Sequence, residues 1–148
     1  MDILFYHLML STLEDILPTL VERALMRFSK VTIQCVSKEQ CEAIDTRLWV
    51  YSDESFIGHG TESDKHQNFH PVFLTTGQDN PNNSKIRFLT EGAVCSSIDA
   101  YQRLVVIFDG RNDEQLRLAR AQWKKYKTED YNLTYWQQTE GRSWKKQT

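Results

Sequence analysis

The sequence predicts an α/β fold, a single domain with a mostly parallel central sheet covered by helices. Short runs rich in β-branched and aromatic residues alternate along the chain with longer stretches whose apolar residues recur at helical spacing. Two strand–helix units stand in succession at its start, a pattern that favours parallel strands. The size agrees: 148 residues, 40% of them apolar, suit one globular core over residues 1–148, with no disulfide or metal staple required.

Ile3-Leu4-Phe5-Tyr6-His7-Leu8 reads as the first strand, built of residues that suit a pleated, buried surface. Ser11, with Glu14 three residues later, is a capping-box start. Leu13, Ile16, Leu17, Leu20, Val21, Ala24, Leu25 and Phe28 then line one helical face. Pro18 either kinks this helix or marks its first turn. Residues 31–36 form a second strand, and Ser37 with Gln40 opens a second helix through Ala43, Ile44 and Leu48 towards Trp49. The polar, glycine-containing stretch 52–70 reads as loop. Residues 71–76 form a third strand, followed by a dense turn signal at 77–83. Residues 86–89 and 104–108 supply two more strands, and Asn112 with Gln115 caps a third helix running to 127. The tail is an aromatic segment, 133–136, with a basic end at 141–146.

Composition narrows the function. Eighteen basic against 20 acidic side chains give a net charge of -2, unlike a general binder of nucleic acid, although a local basic patch remains open. Cys35, Cys41 and Cys95 are an odd set without CxxC spacing, as expected of reduced thiols in the cytoplasm. Asp2 stands where a signal peptide carries cations, His7 interrupts the apolar run, and no stretch approaches the roughly 20 apolar residues of a membrane span.

The predicted fold resembles nucleotide-binding folds, yet the loop after the first strand, Met9-Leu10-Ser11-Thr12, contains none of the glycines that let a backbone approach a pyrophosphate. Gly58-His59-Gly60-Thr61 lacks the lysine of a phosphate-binding loop. His66 and His70 have the spacing of a metal pair only if helical, and they lead straight into Pro71, so surface histidines account for them better. No nucleophile motif is present. The expectation is a protein with no catalytic residue, no cofactor and no metal.

One helix carries a signal. In the stretch 116–127, Arg117, Arg120, Lys124 and Lys127 are spaced three, four and three apart, which puts them in one row on a helix. The row fills a sector roughly 80° wide. Leu116, Ala119, Trp123 and Tyr126 occupy the neighbouring sector, so the Trp123 indole lies at the margin between cations and apolar residues. No acid occurs within the stretch to neutralise the row. A solvated face whose long cations snorkel around core aromatics accounts for this pattern. So does a site for an anionic, aromatic-ended peptide, and so does a track for single-stranded nucleic acid. Trp49, Tyr51, Phe56 and Ile57 add a second apolar cluster, either a core lid or an interface patch.

Leu4-Phe5-Tyr6-His7-Leu8, Leu17-Pro18-Thr19-Leu20-Val21-Glu22-Arg23-Ala24, Leu48-Trp49 and Asp53-Glu54-Ser55-Phe56-Ile57-Gly58-His59-Gly60 stand in a set order. Pro71-Val72-Phe73-Leu74, Phe108-Asp109-Gly110, Ala119-Arg120-Ala121-Gln122-Trp123-Lys124 and Leu133-Thr134-Tyr135-Trp136-Gln137-Gln138 continue the series. Together, over nearly the whole chain, they resemble the chi subunit family of DNA polymerase III. The resemblance implies a three-layer α/β/α fold without nucleotide chemistry, and a non-catalytic adaptor of the replication machinery with two partner surfaces. One binds the acidic, phenylalanine-ended C-terminal tail of the single-stranded DNA-binding protein. Arg120, Trp123 and Lys124 match family residues that contact this tail, with Trp123 where a tyrosine also occurs, and Arg117 and Lys127 continue the row. The other surface binds the psi subunit of the clamp-loader assembly, and in some bacteria a helicase of DNA repair; Trp49 and Phe56 match it, with Ile57 adjacent. Gly58 stands where the family often has proline. Contact with nucleic acid is then mainly indirect, and direct binding of single-stranded DNA by the same helix is the competing expectation.

Overall fold

The structure is a computed structural model that describes residues 1–55, 72–80 and 83–147. Successive side chains of a strand point to opposite faces, and β1 (Asp2–Leu8) is apolar on both. Ile3 and Phe5 enter one core, while Leu4, Tyr6 and Leu8 pack into the other. Burial on both faces is what an interior strand of a parallel sheet requires.

The remaining strands are β2 (Val31–Gln34), β3 (Val72–Thr75), β4 (Ile86–Thr90), β5 (Arg103–Asp109), β6 (Asn132–Gln138) and β7 (Trp144–Gln147). They form one open sheet in the order β3-β2-β4-β5-β1-β6-β7. Every neighbouring pair is parallel except β6 and β7. Helices α1 (Leu13–Phe28) and α2 (Lys38–Ser55) bury Leu17, Val21, Ile44 and Leu48 on one face. Helix α3 (Asp113–Thr128) buries Ala119 and Tyr126 on the other, which gives the predicted three layers.

The start of α1 lies one residue beyond the predicted cap. Thr12 is the N-cap, and Thr12 with Asp15 forms the capping box. Ser11 is engaged elsewhere: its backbone N–H donates to Gln138 Oε1 at 3.0 Å and its hydroxyl accepts from Gln138 Nε2 at 2.8 Å. Pro18 lies inside the helix rather than in its first turn. Lacking an N–H, it leaves the Glu14 carbonyl without its intrahelical donor. Arg47 Nε on α2 donates to that carbonyl at 3.2 Å, so the proline's deficit becomes a tie between two helices.

At the start of α2, Ser37 Oγ accepts from the Gln40 N–H, as the capping signal implies. The helix continues to Ser55, into the stretch predicted as loop. Asn112 caps α3 through the Gln115 N–H at 3.0 Å. The tail predicted as an aromatic segment with a basic end is a pair of strands, β6 and β7.

Arg87 on β4 is completely buried. Its Nε and Nη2 donate to Gln34 Oε1 at 3.1 and 2.7 Å, and Nη2 also donates to the Gly77 carbonyl at 2.7 Å. Nη1 donates to the Asp79 carbonyl and the Tyr101 hydroxyl, both at 2.9 Å. All acceptors are neutral, so the charge is held by dipoles alone, and in being held it fastens the turn after β3 to the sheet. Arg87→Leu would strip these acceptors of their donor and is expected to lower stability by about 3 kcal/mol or more. Urea denaturation at constant m-value checks this.

Candidate functional site

In sheets of this kind ligands bind beyond the carboxyl ends of the strands, where successive connections leave for opposite faces. That point lies between β1, which leads to α1, and β5, which leads to α3. Here it is filled by the protein's own side chains. The N–H groups of Met9, Leu10 and Ser11 all donate to Gln138 Oε1, at 3.1, 2.9 and 3.0 Å. Arg111 crosses from the other side, with Nη1 on the Leu10 carbonyl, Nη2 on the Ser11 carbonyl and Nε on Asp109 Oδ1.

The open concavity lies instead on the α3 face. Phe108, Ala119, Arg120, Trp123, Lys124, Tyr135, Gln137 and Gln147 enclose a groove of about 490 Å³ between α3 and strands β5, β6 and β7. Trp123 is half-buried and held edge to face by two rings, Phe5 at 5.2 Å and Tyr135 at 5.5 Å between centroids. Such pairs fix ring orientation as well as contributing energy. Arg120 and Lys124 are exposed, lie on either side of Trp123 in sequence, and have no ion-pair partner among the described residues. An apolar slot walled by a fixed indole and edged by two uncompensated cations suits a ligand that joins a carboxylate to an apolar or aromatic group.

The row of four cations is thus unequal. Arg117 is neutralised by Glu114, two residues before the span expected to be free of acid, with Nη2 to Oε1 at 2.5 Å. Lys127 is exposed in the last turn and lies outside the groove wall. Trp49 is half-buried on α2. Phe56, Ile57, Gly58, His66 and His70 lie outside the described residues. Among the described residues no cluster of three or more His, Cys, Asp or Glu could hold a metal ion. None of their helices is long and apolar enough to cross a membrane.

Several groove residues escaped the sequence reading. Tyr135 and Gln137 come from β6 and Gln147 from β7, strands that were not foreseen. The alternation Leu133, Tyr135, Gln137 carried the signal. Beneath them, His7 Nδ1 and the Tyr135 hydroxyl lie 2.7 Å apart, and the His7 ring packs on Phe108 at 4.8 Å. Gly110 is obligatory beside it, since a Cβ there would fall 1.8 Å from His7 Nε2.

The family model described as DNA polymerase III chi subunit, HolC, matches residues 1–134. The chain belongs to the DNA polymerase III chi subunit family. A curated member from Rickettsia prowazekii (strain Madrid E), named "Probable DNA polymerase III subunit chi", is 27% identical over 97 residues, 61% of this chain. The match spans 59% of that relative's length. The family match takes in β1 through α3 and the first residues of β6, including Arg120, Trp123 and Lys124. Tyr135 and the rest of the groove's β6–β7 wall lie beyond it.

Burial, and after it the Arg120 guanidinium, hold the His7 pKa below its ordinary 6.5, against a weaker pull from Asp109. The unfolded chain therefore takes up a proton first as pH falls. The stability contributed by neutral His7 is complete above about pH 6.5 and lost as pH drops towards the depressed folded value. Unfolding free energy is expected to fall on acidification from pH 7 to 5.5, with a smaller slope in His7→Gln. An unchanged slope in that variant would show that another group governs the window.

Proposed function

We propose that this chain is a non-catalytic, cytoplasmic accessory subunit of the DNA polymerase III holoenzyme, joining the clamp loader to single-stranded DNA through the protein that coats it. The observation that carries this reading is the pair of uncompensated cations, Arg120 and Lys124, set about the half-buried Trp123 over an apolar floor. The C-terminal tail of single-stranded DNA-binding protein, acidic and ending in phenylalanine, has the complementary chemistry. Its ring would occupy the slot beside Trp123, and its carboxylates would meet Arg120 and Lys124, with Lys127 extending the positive edge. Arg117 contributes less, because Glu114 already occupies it.

Charge-assisted hydrogen bonds contribute about 1.5–3 kcal/mol each before the cost of ordering a peptide, so the affinity is about micromolar and falls with added salt. Several tails on one coating protein raise it by effective concentration. The psi subunit or, in its place, a DNA-repair helicase is received through Trp49, to which the family resemblance adds Phe56 and Ile57.

Direct binding of single-stranded DNA through Trp123 is less well supported. A track for a polynucleotide needs free cations spread along it, whereas Arg117 is paired with Glu114 and Arg120 and Lys124 are the cations that edge the groove. Titrating intrinsic fluorescence with the tail peptide and, separately, with an oligonucleotide distinguishes the two. The peptide is expected to bind and the oligonucleotide to bind poorly, and the reverse order would overturn the adaptor reading. Lys124→Glu is expected to abolish peptide binding with thermal unfolding unchanged. Trp49→Ala is expected to spare the peptide and impair the complex with psi. Loss of both interactions in either folded variant would mean that the two surfaces are wrongly assigned.

A further inference from the structure

On the opposite face of the sheet from the groove, a small pocket opens beneath the C-terminal half of α1. Its floor is made of apolar residues of β1, β4 and β5, and three arginines, Arg23, Arg27 and Arg103, stand around it. Arg27 and Arg103 both lie over the Phe28 ring, their guanidinium carbons 5.3 and 5.6 Å from its centroid. Arg23 is one helical turn before Arg27, so these two cations repel across the same opening. The negative end of the α1 dipole accounts for Arg27 in the last turn. It does not account for Arg23 a turn earlier or for Arg103 on a strand.

The charges are poorly compensated. Asp2 is the sole ion-pair partner of the three among the described residues, and its Oδ2 stands 3.8 Å from Arg103 Nη2, at the loose limit of such a pair. Its other oxygen accepts from Asn132 Nδ2 at 2.8 Å. Arg103 Nε is buried with no hydrogen-bond partner among the described residues. A buried donor left unmade costs free energy and is rare in folded proteins. Burial raises the pKa of the Tyr6 hydroxyl, which also lines the pocket, and Arg103 and then Arg23 pull it back, so both cations bear on one point.

We propose that this pocket binds a phosphate-sized dianion, either free phosphate or the terminal phosphoryl group of a small phosphorylated molecule. Three guanidiniums against one loosely held carboxylate leave two positive charges, which a dianion matches, and guanidinium geometry suits phosphoryl oxygens. The volume of about 120 Å³ is well below the roughly 300–1,000 Å³ of sites that enclose whole small molecules, so only a compact head group enters.

The test is a calorimetric titration of the full chain with inorganic phosphate at constant ionic strength, with chloride as the matched control. The Arg103 Nε–H resonance is followed by NMR in parallel. Saturable phosphate binding is expected, with a shift of that resonance and no saturable response to chloride. Arg23→Gln and Arg103→Gln should each weaken it about tenfold or more, while Arg120→Gln in the groove leaves it unchanged. Arg23 is exposed, so its variant keeps the test decisive if Arg103→Gln destabilises the protein. Glycerol 3-phosphate binding more tightly than inorganic phosphate identifies a phosphorylated small molecule, and equal affinity identifies free phosphate. Absence of saturation overturns the proposal and leaves the arginines as a shield over Phe28. So does displacement of phosphate by lower concentrations of an oligonucleotide without terminal phosphates, which would make the face a polynucleotide surface.

Discussion

Everything in this fold depends on the requirement that β1 be apolar on both sides. Parallel strands pair only within a covered sheet, and β1 is bordered by β5 and β6, both parallel to it. Leu4, Tyr6 and Leu8 anchor the face that α1 and α2 cover, while Ile3 and Phe5 anchor the face under α3. The same alternation brings Phe5 against Trp123 and His7 against Tyr135, so the floor of the groove is a by-product of strand pleat. A one-residue slip in register would exchange the two cores and dismantle the groove with them.

The protein handles its arginines in contrasting ways, and the contrast separates structure from function. Arg87 is buried and fully satisfied by neutral acceptors, Arg111 is spent on two carbonyls and Asp109, and Arg47 repairs the carbonyl opposite Pro18. Each of these is bound by its own chain. Among the described residues Arg120 and Arg23 have no hydrogen-bond or ion-pair partner and Arg27 only lies over the Phe28 ring, and they stand beside concavities with apolar floors on opposite faces of the sheet. The saturated guanidiniums tie strands, loops and helices of the chain to one another, and the unsaturated ones face solvent.

Much of the architecture was legible because local signals and global packing agreed. The run from Ile3 to Leu8, the helical face from Leu13 to Phe28 and the Asn112 cap all lie where their residues suggest. What failed depended on distant residues. Ser11 looked like the cap until Gln138, 127 positions later in the chain, took both its N–H and its hydroxyl. β6 and β7 carry too few β-branched residues to declare themselves, and β6 is a strand because β1 offers it a paired edge. The site was half legible. Helical spacing put Arg120 and Lys124 in one row with Trp123 at its margin and the family resemblance singled these three out, whereas Tyr135, Phe108 and Gln147 join them only through the order of strands in the sheet. Glu114 was visible in the sequence two residues before the helical window, and extending that window by half a turn would have revealed the neutralised Arg117.

The side-chain amide of Gln138 has a wider meaning for how such a fold is put to use. Three successive main-chain hydrogens aimed at one oxygen form a receptor with a single vacancy, and this chain supplies the guest from its own sixth strand. Any soluble anion arriving there competes with a tethered rival already in place. The switch point of the sheet is in that sense liganded from within, and the groove beside Trp123 and the pocket beneath α1 open on its flanks instead.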